Sequence, residues 1–189
     1  LRGKWDLTEG GIRVPFAVVG PGVKSGSQSD TPVVTYDLLP TVAALAGSDA
    51  ELPNDLDGGS FHAALSDPKA PVSRPLDSLI FHYPHYNRVG MNEPHSAIRE
   101  GDYKLIYFPV SDRSLLFDLS QDIGERTDLS EQQPEVKARL QKKLANYLES
   151  VDAERPEQGS KWVTVGKEGQ VRTQFFQRYD HFLGANRYG

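Results

Sequence analysis

Cysteine is absent from all 189 residues. That excludes a disulfide framework, a thiolate metal site and a cysteine nucleophile within the chain, and it leaves the redox compartment unassigned. Long apolar runs are also missing. The longest, such as Val14-Pro15-Phe16-Ala17-Val18-Val19, falls far short of the roughly 20 residues that span a bilayer. Nor is there an excess of positive charge: the net charge is −5 and the pI about 5.5. Nothing in the overall field therefore favours nucleic acid, although a few local Lys and Arg can still hold an anion inside a cleft. A charged n-region followed by an apolar h-region is not seen. The chain opens Leu1-Arg2-Gly3-Lys4 as an internal stretch of a longer sequence would, so the missing targeting signal carries little weight. With 38% apolar and 25% charged residues, the composition is that of a globular protein rather than a disordered one.

What is present falls into two halves. Residues 15–19 form an unbroken apolar run closed by Gly20-Pro21-Gly22, which predicts a strand buried on both faces. After a polar loop, Asp37 stands before Leu38-Leu39-Pro40-Thr41-Val42-Ala43-Ala44-Leu45-Ala46-Gly47. Asp37 suits an N-cap, Pro40 a first turn and Gly47 a C′ position, predicting a short apolar helix packed on a sheet. Turn residues dominate from Ser48 to Pro75, with a short helical candidate at 60–65. In the second half, residues 76–83, 96–100, 103–108 and 114–119 read as strands. The Gly101-Asp102 pair between the middle two predicts a tight hairpin. Val136, Leu140, Leu144 and Leu148 recur every four residues after Pro134, the signature of an amphipathic helix over 134–151. The pattern fades after Ala153, and an aromatic and arginine-rich stretch (Phe175, Phe176, Tyr179, Phe182, Tyr188) closes the chain.

Several short pieces occur together in one order: Lys4…Glu9-Gly10-Gly11-Ile12-Arg13-Val14-Pro15, then Asp37-Leu38-Leu39-Pro40-Thr41, Asp57-Gly58, Phe81-His82-Tyr83-Pro84-His85-Tyr86, Ile98-Arg99-Glu100-Gly101-Asp102-Tyr103-Lys104-Leu105-Ile106, and Leu116-Phe117-Asp118-Leu119 with Asp122 and Gly124-Glu125. Over roughly residues 1–152 this series resembles the C-terminal portion of the sulfatase family. The resemblance implies an α/β fold: the C-terminal part of an alkaline-phosphatase-like sulfatase core (1–75), a small α+β subdomain with an antiparallel sheet and one long helix (76–152), and a tail extension (153–189). It also implies hydrolysis of sulfate esters by a formylglycine nucleophile beside Ca²⁺ (or Mg²⁺). Both groups would be held by residues outside this chain, because the C/S-x-P-S-R motif, the paired metal-binding Asp residues and the Gly-Lys-x-x-His element are all absent here. Taken alone, the chain is therefore expected to be inactive. Secretion or a periplasmic location is a family expectation only.

Within that resemblance Lys4 is the catalytic and substrate-binding candidate, since the family's lysine at this place contacts the sulfuryl group. A fixed ammonium there opposes the negative charge that builds on the leaving oxygen. Without the motif, Lys4 would read as an ordinary solvated lysine. His82, His85 and Tyr86 are candidates for a substrate wall, suited to the hydroxyls and apolar face of a sulfated carbohydrate or other sulfated small molecule. The plainer alternative is a polar loop between two lobes. Spacing alone supports no two-histidine metal site, because no carboxylate is adjacent. Glu9 to Arg13 reads as structural, with Gly10 and Gly11 allowing positive φ or close approach and Arg13 pairing with a carboxylate. Lys104, alternating with apolar residues, is expected to face solvent. His95 has no evident partner in the sequence. A phosphatase or phosphonate hydrolase of the same superfamily, or a non-catalytic binding or assembly module, are the rival readings. Oligomerisation is left open. The 15–19 run and the 38–46 helix, bared of an upstream sheet, predict poor solubility for the isolated chain.

Overall fold

The computed structural model describes residues 6–48, 51–86 and 93–156. Lys4 and the aromatic–arginine tail lie outside the described residues. The elements, in chain order, are α1 (Glu9–Ile12), a 3-10 turn (Thr35–Asp37), α2 (Leu38–Leu45), α3 (His62–Ser66), β1 (Leu79–Tyr83), β2 (His95–Glu100), β3 (Tyr103–Phe108), β4 (Arg113–Asp118) and α4 (Pro134–Ser150). Two units emerge: residues 6–13 group with 78–156, and Val14–Asp77 form the other. The α1 segment thus belongs with the sheet rather than with the residues that follow it.

In the first unit the four strands form an antiparallel meander of order β1-β2-β3-β4. Gly101 takes φ +57° between β2 and β3, the left-handed conformation that a glycine adopts without a Cβ penalty. Register pairs Ala97 with Ile106 and Ile106 with Leu115, and on the opposite face Ile98 with Leu105 and Leu105 with Leu116. Both faces are covered. Ile98, Leu105 and Leu116 pack with Leu140 and Leu144 of α4, the stripe anticipated from the four-residue spacing. Ala97, Ile106, Phe108, Leu115 and Phe117 form a second core against which Leu7 and Phe81 pack. The free edge of β4 is blunted at Leu116, whose amide donates to Asp128 Oδ1 and whose carbonyl accepts from the Leu129 amide. This is one of the ways a sheet edge is protected from pairing with another chain.

The second unit departs from expectation. Residues 15–19 form no strand, and Val14 and Val19 are 74% and 97% exposed. A strand buried on both faces needs a ladder partner on each side, and no described residue provides one. Helix α2 forms where predicted, yet its Leu38, Leu39, Val42 and Leu45 are exposed and Thr41 is its buried residue. Asp37 makes no side-chain bond to the first turn of α2. Its fully buried carboxylate instead accepts from the amides of Val34 (2.8 Å) and Gly59 (3.0 Å) and from Arg74 Nε and Nη2 (2.8 and 2.6 Å). Thr41 Oγ1 continues the network, donating to the Asp37 carbonyl and accepting from the Phe61 amide. One carboxylate therefore ties the 3-10 turn, the Asp57-Gly58-Gly59 turn and Arg74 together.

That turn has no room for side chains. A Cβ on Gly58 would lie 2.1 Å from the Tyr36 carbonyl oxygen, and one on Gly59 the same distance from the Ser73 carbonyl oxygen. Backbone cannot yield as a flexible side chain can. Gly59→Ala is expected to destabilise this unit by about 2–3 kcal/mol, at the upper end for overpacking, read as a lower urea midpoint by circular dichroism.

Candidate functional site

The segment that follows Lys4 is fastened to the sheet at two places. The first is a buried charge cluster. Lys104 is 0% exposed, and its ammonium donates to Glu9 Oε1 at 2.9 Å and pairs with Glu125 Oε1 at the same distance. The Glu9 amide donates to Glu125 Oε2 at 2.7 Å. Arg99 and Arg13 lie 3.9 and 3.8 Å from Glu9 Oε2, so Arg13 meets a carboxylate as anticipated. Lys104 corrects the expectation of a solvent-facing lysine. Its register partners Arg99 and Phe117 place it on the sheet face that carries Leu7 rather than the one that carries α4. Gly10 and Gly11 sit inside the helical turn α1, so they supply neither the positive φ nor the strand entry anticipated for them.

The cluster holds one ammonium against two carboxylates. Burial pushes the Glu125 carboxyl above its ordinary value of 4.5, while the Lys104 ammonium and the Glu9 amide draw it down and the Glu9 charge adds to the rise. Glu125 also adopts φ +52°, a left-handed conformation that costs a non-glycine residue about 1 kcal/mol. The contacts of its carboxylate hold it there.

The second fastening is His95, 1% exposed. Its Nε2 accepts from the Leu7 amide at 3.2 Å. An accepting Nε2 places the ring proton on Nδ1, which donates to the Glu93 carbonyl at 2.6 Å. Phe108 stacks on the imidazole at 5.6 Å, and the Tyr83 ring lies 5.8 Å away, tilted. His85 in turn meets the edge of Tyr83 at 5.6 Å. An aromatic file thus runs from exposed His85 through Tyr83 and His95 to the core residue Phe108.

Among the residues singled out from the sequence, His82 is already engaged. Its Nε2 meets the Glu154 carbonyl and its Nδ1 the Ser96 hydroxyl, both at 2.8 Å. A carbonyl only accepts, so Nε2 carries a proton and Nδ1 is left to accept in the neutral ring. His85 is exposed and Tyr86 half-buried; both follow the end of β1. No group of three or more His, Asp or Glu among the described residues is placed to hold a metal ion, so these residues do not fit the divalent metal that the resemblance implies. None of their helices is long and apolar enough to cross a membrane.

These features define an α+β lobe: a meander backed by one long helix and strapped on its other face by the residues that follow Lys4. The family model described as "N-sulphoglucosamine sulphohydrolase, C-terminal" matches residues 3–154, and the chain belongs to the sulfatase family as a C-terminal portion. Among its relatives, a sulfatase of Formosa agariphila is 35% identical over 69% of this chain and 25% of its own length. A choline-sulfatase of Rhizobium meliloti is 33% identical over 95% of this chain and 35% of its own. Arylsulfatase K of Mus musculus is 30% identical over 77% and 26%. The chain therefore spans about a quarter to a third of the relatives' length. Among solved structures, one described in complex with its substrate D-glucosamine-2-N,6-O-disulfate has a TM-score of 0.57 at 23% identity, over 73% of this chain and 28% of its own. A 2-O glycosaminoglycan sulfatase reaches 0.55 at 22% identity, over 81% and 32%. Both are likenesses of fold.

Proposed function

We propose that this chain is the C-terminal part of a sulfatase that hydrolyses sulfate esters of carbohydrates, and that Lys4 contacts the sulfuryl group. The observation that carries this reading is the family match over residues 3–154, joined to the fastening of the segment behind Lys4 by a buried charge cluster. Such a cluster costs desolvation energy and buries an arrangement that fixes a backbone rather than merely filling space. An ammonium at that place suits a reaction that moves negative charge onto the sulfuryl and leaving oxygens, because it would oppose that charge as it develops. His85 and Tyr86 would line the sugar. His82, whose ring nitrogens are both occupied within the chain, would contribute shape rather than donors. The formylglycine nucleophile and Ca²⁺ (or Mg²⁺) would be held outside this chain, together supplying attack on sulfur and charge neutralisation. Export to the periplasm or the cell exterior fits the same reading.

The experiment compares the full-length polypeptide carrying these residues with its Lys4→Ala variant on an aryl sulfate and on the matching phosphate ester. Loss of one buried charge contact in a transition state removes about 10²–10³ in kcat/KM, and that loss is expected for sulfate release. Near-equal values for the two proteins, or a parent that releases phosphate in preference to sulfate, would refute the assignment.

A further inference from the structure

We propose that Tyr83 is a positioning residue for a sulfated carbohydrate, bracing the exposed imidazole of His85 as a contact for the sugar ring. This rests on the reading of His85 as part of the wall that lines the sugar. Tyr83 is the last residue of β1 and stands opposite His95 in the register. Its ring lies 5.8 Å from that of His95, which stacks at 5.6 Å on the fully buried Phe108. The same Tyr83 ring meets His85 at 5.6 Å, with the two planes at 88°. This perpendicular arrangement is one that aromatic pairs favour. A surface side chain is thereby tied, ring by ring, to one in the core.

The backbone between the two rings reinforces the contact. Residues two apart on an extended chain project to the same side, and Pro84 between them has its φ held near −65° by its own ring. A proline also confines the residue before it to extended conformations, which is what Tyr83 needs as the end of a strand. His85 is exposed. A neutral imidazole there presents one donor nitrogen, one acceptor nitrogen and a π face. A sugar ring has hydroxyls that use both kinds of nitrogen and a C–H face that packs on a flat ring. A side chain already held in one orientation loses less freedom on binding, which raises affinity without any new contact.

The test uses the full-length polypeptide, with an aryl sulfate as substrate and a panel of mono-O-sulfated hexoses as competitors. Inorganic sulfate is the reference competitor. The ratio of its inhibition constant to that of the best sulfated hexose measures what the sugar ring contributes. An inhibition constant does not depend on how much of the protein is folded, so partial unfolding of a variant does not imitate a lost contact. Tyr83→Leu is expected to lower the ratio about 3- to 10-fold, the scale of one aromatic pair. Tyr83→Ile, whose β-branched side chain suits a strand, removes the ring equally and serves where the Leu variant does not fold. Tyr83→Phe keeps the ring and should keep most of the ratio. His85→Ala should lower it at least as far as Tyr83→Leu. In the His85→Ala background the loss of the Tyr83 ring should change it little, because the side chain it braces is gone. An unchanged ratio without the Tyr83 ring, the same loss in both backgrounds, or a Tyr83→Phe loss as large as that of Tyr83→Leu would overturn this proposal alone. A parent that binds no sulfated hexose better than inorganic sulfate overturns the reading of His85 and this proposal together, as does a His85→Ala variant with the parent's ratio. A parent without turnover of the aryl sulfate overturns the function proposed above, and this inference with it.

Discussion

Replacing Lys104 with methionine is expected to destabilise the sheet unit by about 3–5 kcal/mol, the range for removing one partner of a buried ion pair. The side chain is fully buried, and the thioether fills much of its volume, so packing loss is a small part of the effect. The larger part comes from what stays behind: Glu9 and Glu125, both buried, would face each other with no ammonium between them. The pH dependence of the variant separates this cause from packing. Glu125 already sits above 4.5 with Lys104 drawing it down, so removing Lys104 raises it further. The folded variant then holds a proton on Glu125 in a window above 4.5 where the unfolded chain does not. Stability rises with pH only where the unfolded state binds more protons. Here the folded state binds more, so the contribution of Glu125 is fullest below 4.5 and is lost as the pH climbs through the raised value. The variant's deficit against the parent should be smaller at acid than at alkaline pH in urea titrations, whereas a pure packing defect would be independent of pH. Adding Glu125→Gln should restore much of the loss, since it removes the buried charge left without its ammonium while Glu9 keeps Arg99 and Arg13 beside it.

Much of the sheet unit was legible because its signals are local. The Gly101-Asp102 hairpin, the strands beside it and the four-residue stripe of α4 each depend on neighbours a few positions away. Other features depended on residues far along the chain. Alternation places Lys104 on one face of β3 but cannot reveal what covers that face, and the covering residue Glu9 lies 95 positions away. The run at 15–19 has the composition of a doubly buried strand, but composition supplies no ladder partner. His95 and His82 were obscure for a different reason. Their decisive partners are the Leu7 amide and the Glu93 and Glu154 carbonyls, and backbone groups leave no trace in side-chain identity. Both buried charge hubs stand in pieces that carry the family resemblance, Glu9-Gly-Gly and Asp37-Leu-Leu-Pro-Thr. In the second, helix capping was the nearest local use for an aspartate and concealed the longer-range one.

That longer-range use makes Asp37 the residue whose loss should most disturb Val14–Asp77. Its carboxylate accepts four hydrogen bonds, two from amides and two from the Arg74 guanidinium, and is fully buried. Asp37→Ala would leave Arg74, 11% exposed at its side chain, without its carboxylate, and the Gly59 amide without its acceptor. An expected loss of about 3–5 kcal/mol follows from breaking a buried pair on one side. Asp37→Asn preserves the shape but turns one acceptor into a donor aimed at donors. It should cost about 2 kcal/mol or more, the scale of hydrogen bonds made to a charged group. Arg74→Met gives the third corner, leaving the carboxylate its two amides. If the pair acts as a unit, Asp37→Ala and Arg74→Met together should cost less than the sum of the two alone, by about 1–3 kcal/mol. Urea midpoints of the four proteins supply that cycle, and strict additivity would show that Asp37 acts through the two amides rather than through Arg74. The Gly59→Ala variant closes the argument: its Cβ would strike the Ser73 carbonyl and displace the amide that Asp37 holds, so its cost should fall when combined with Asp37→Ala.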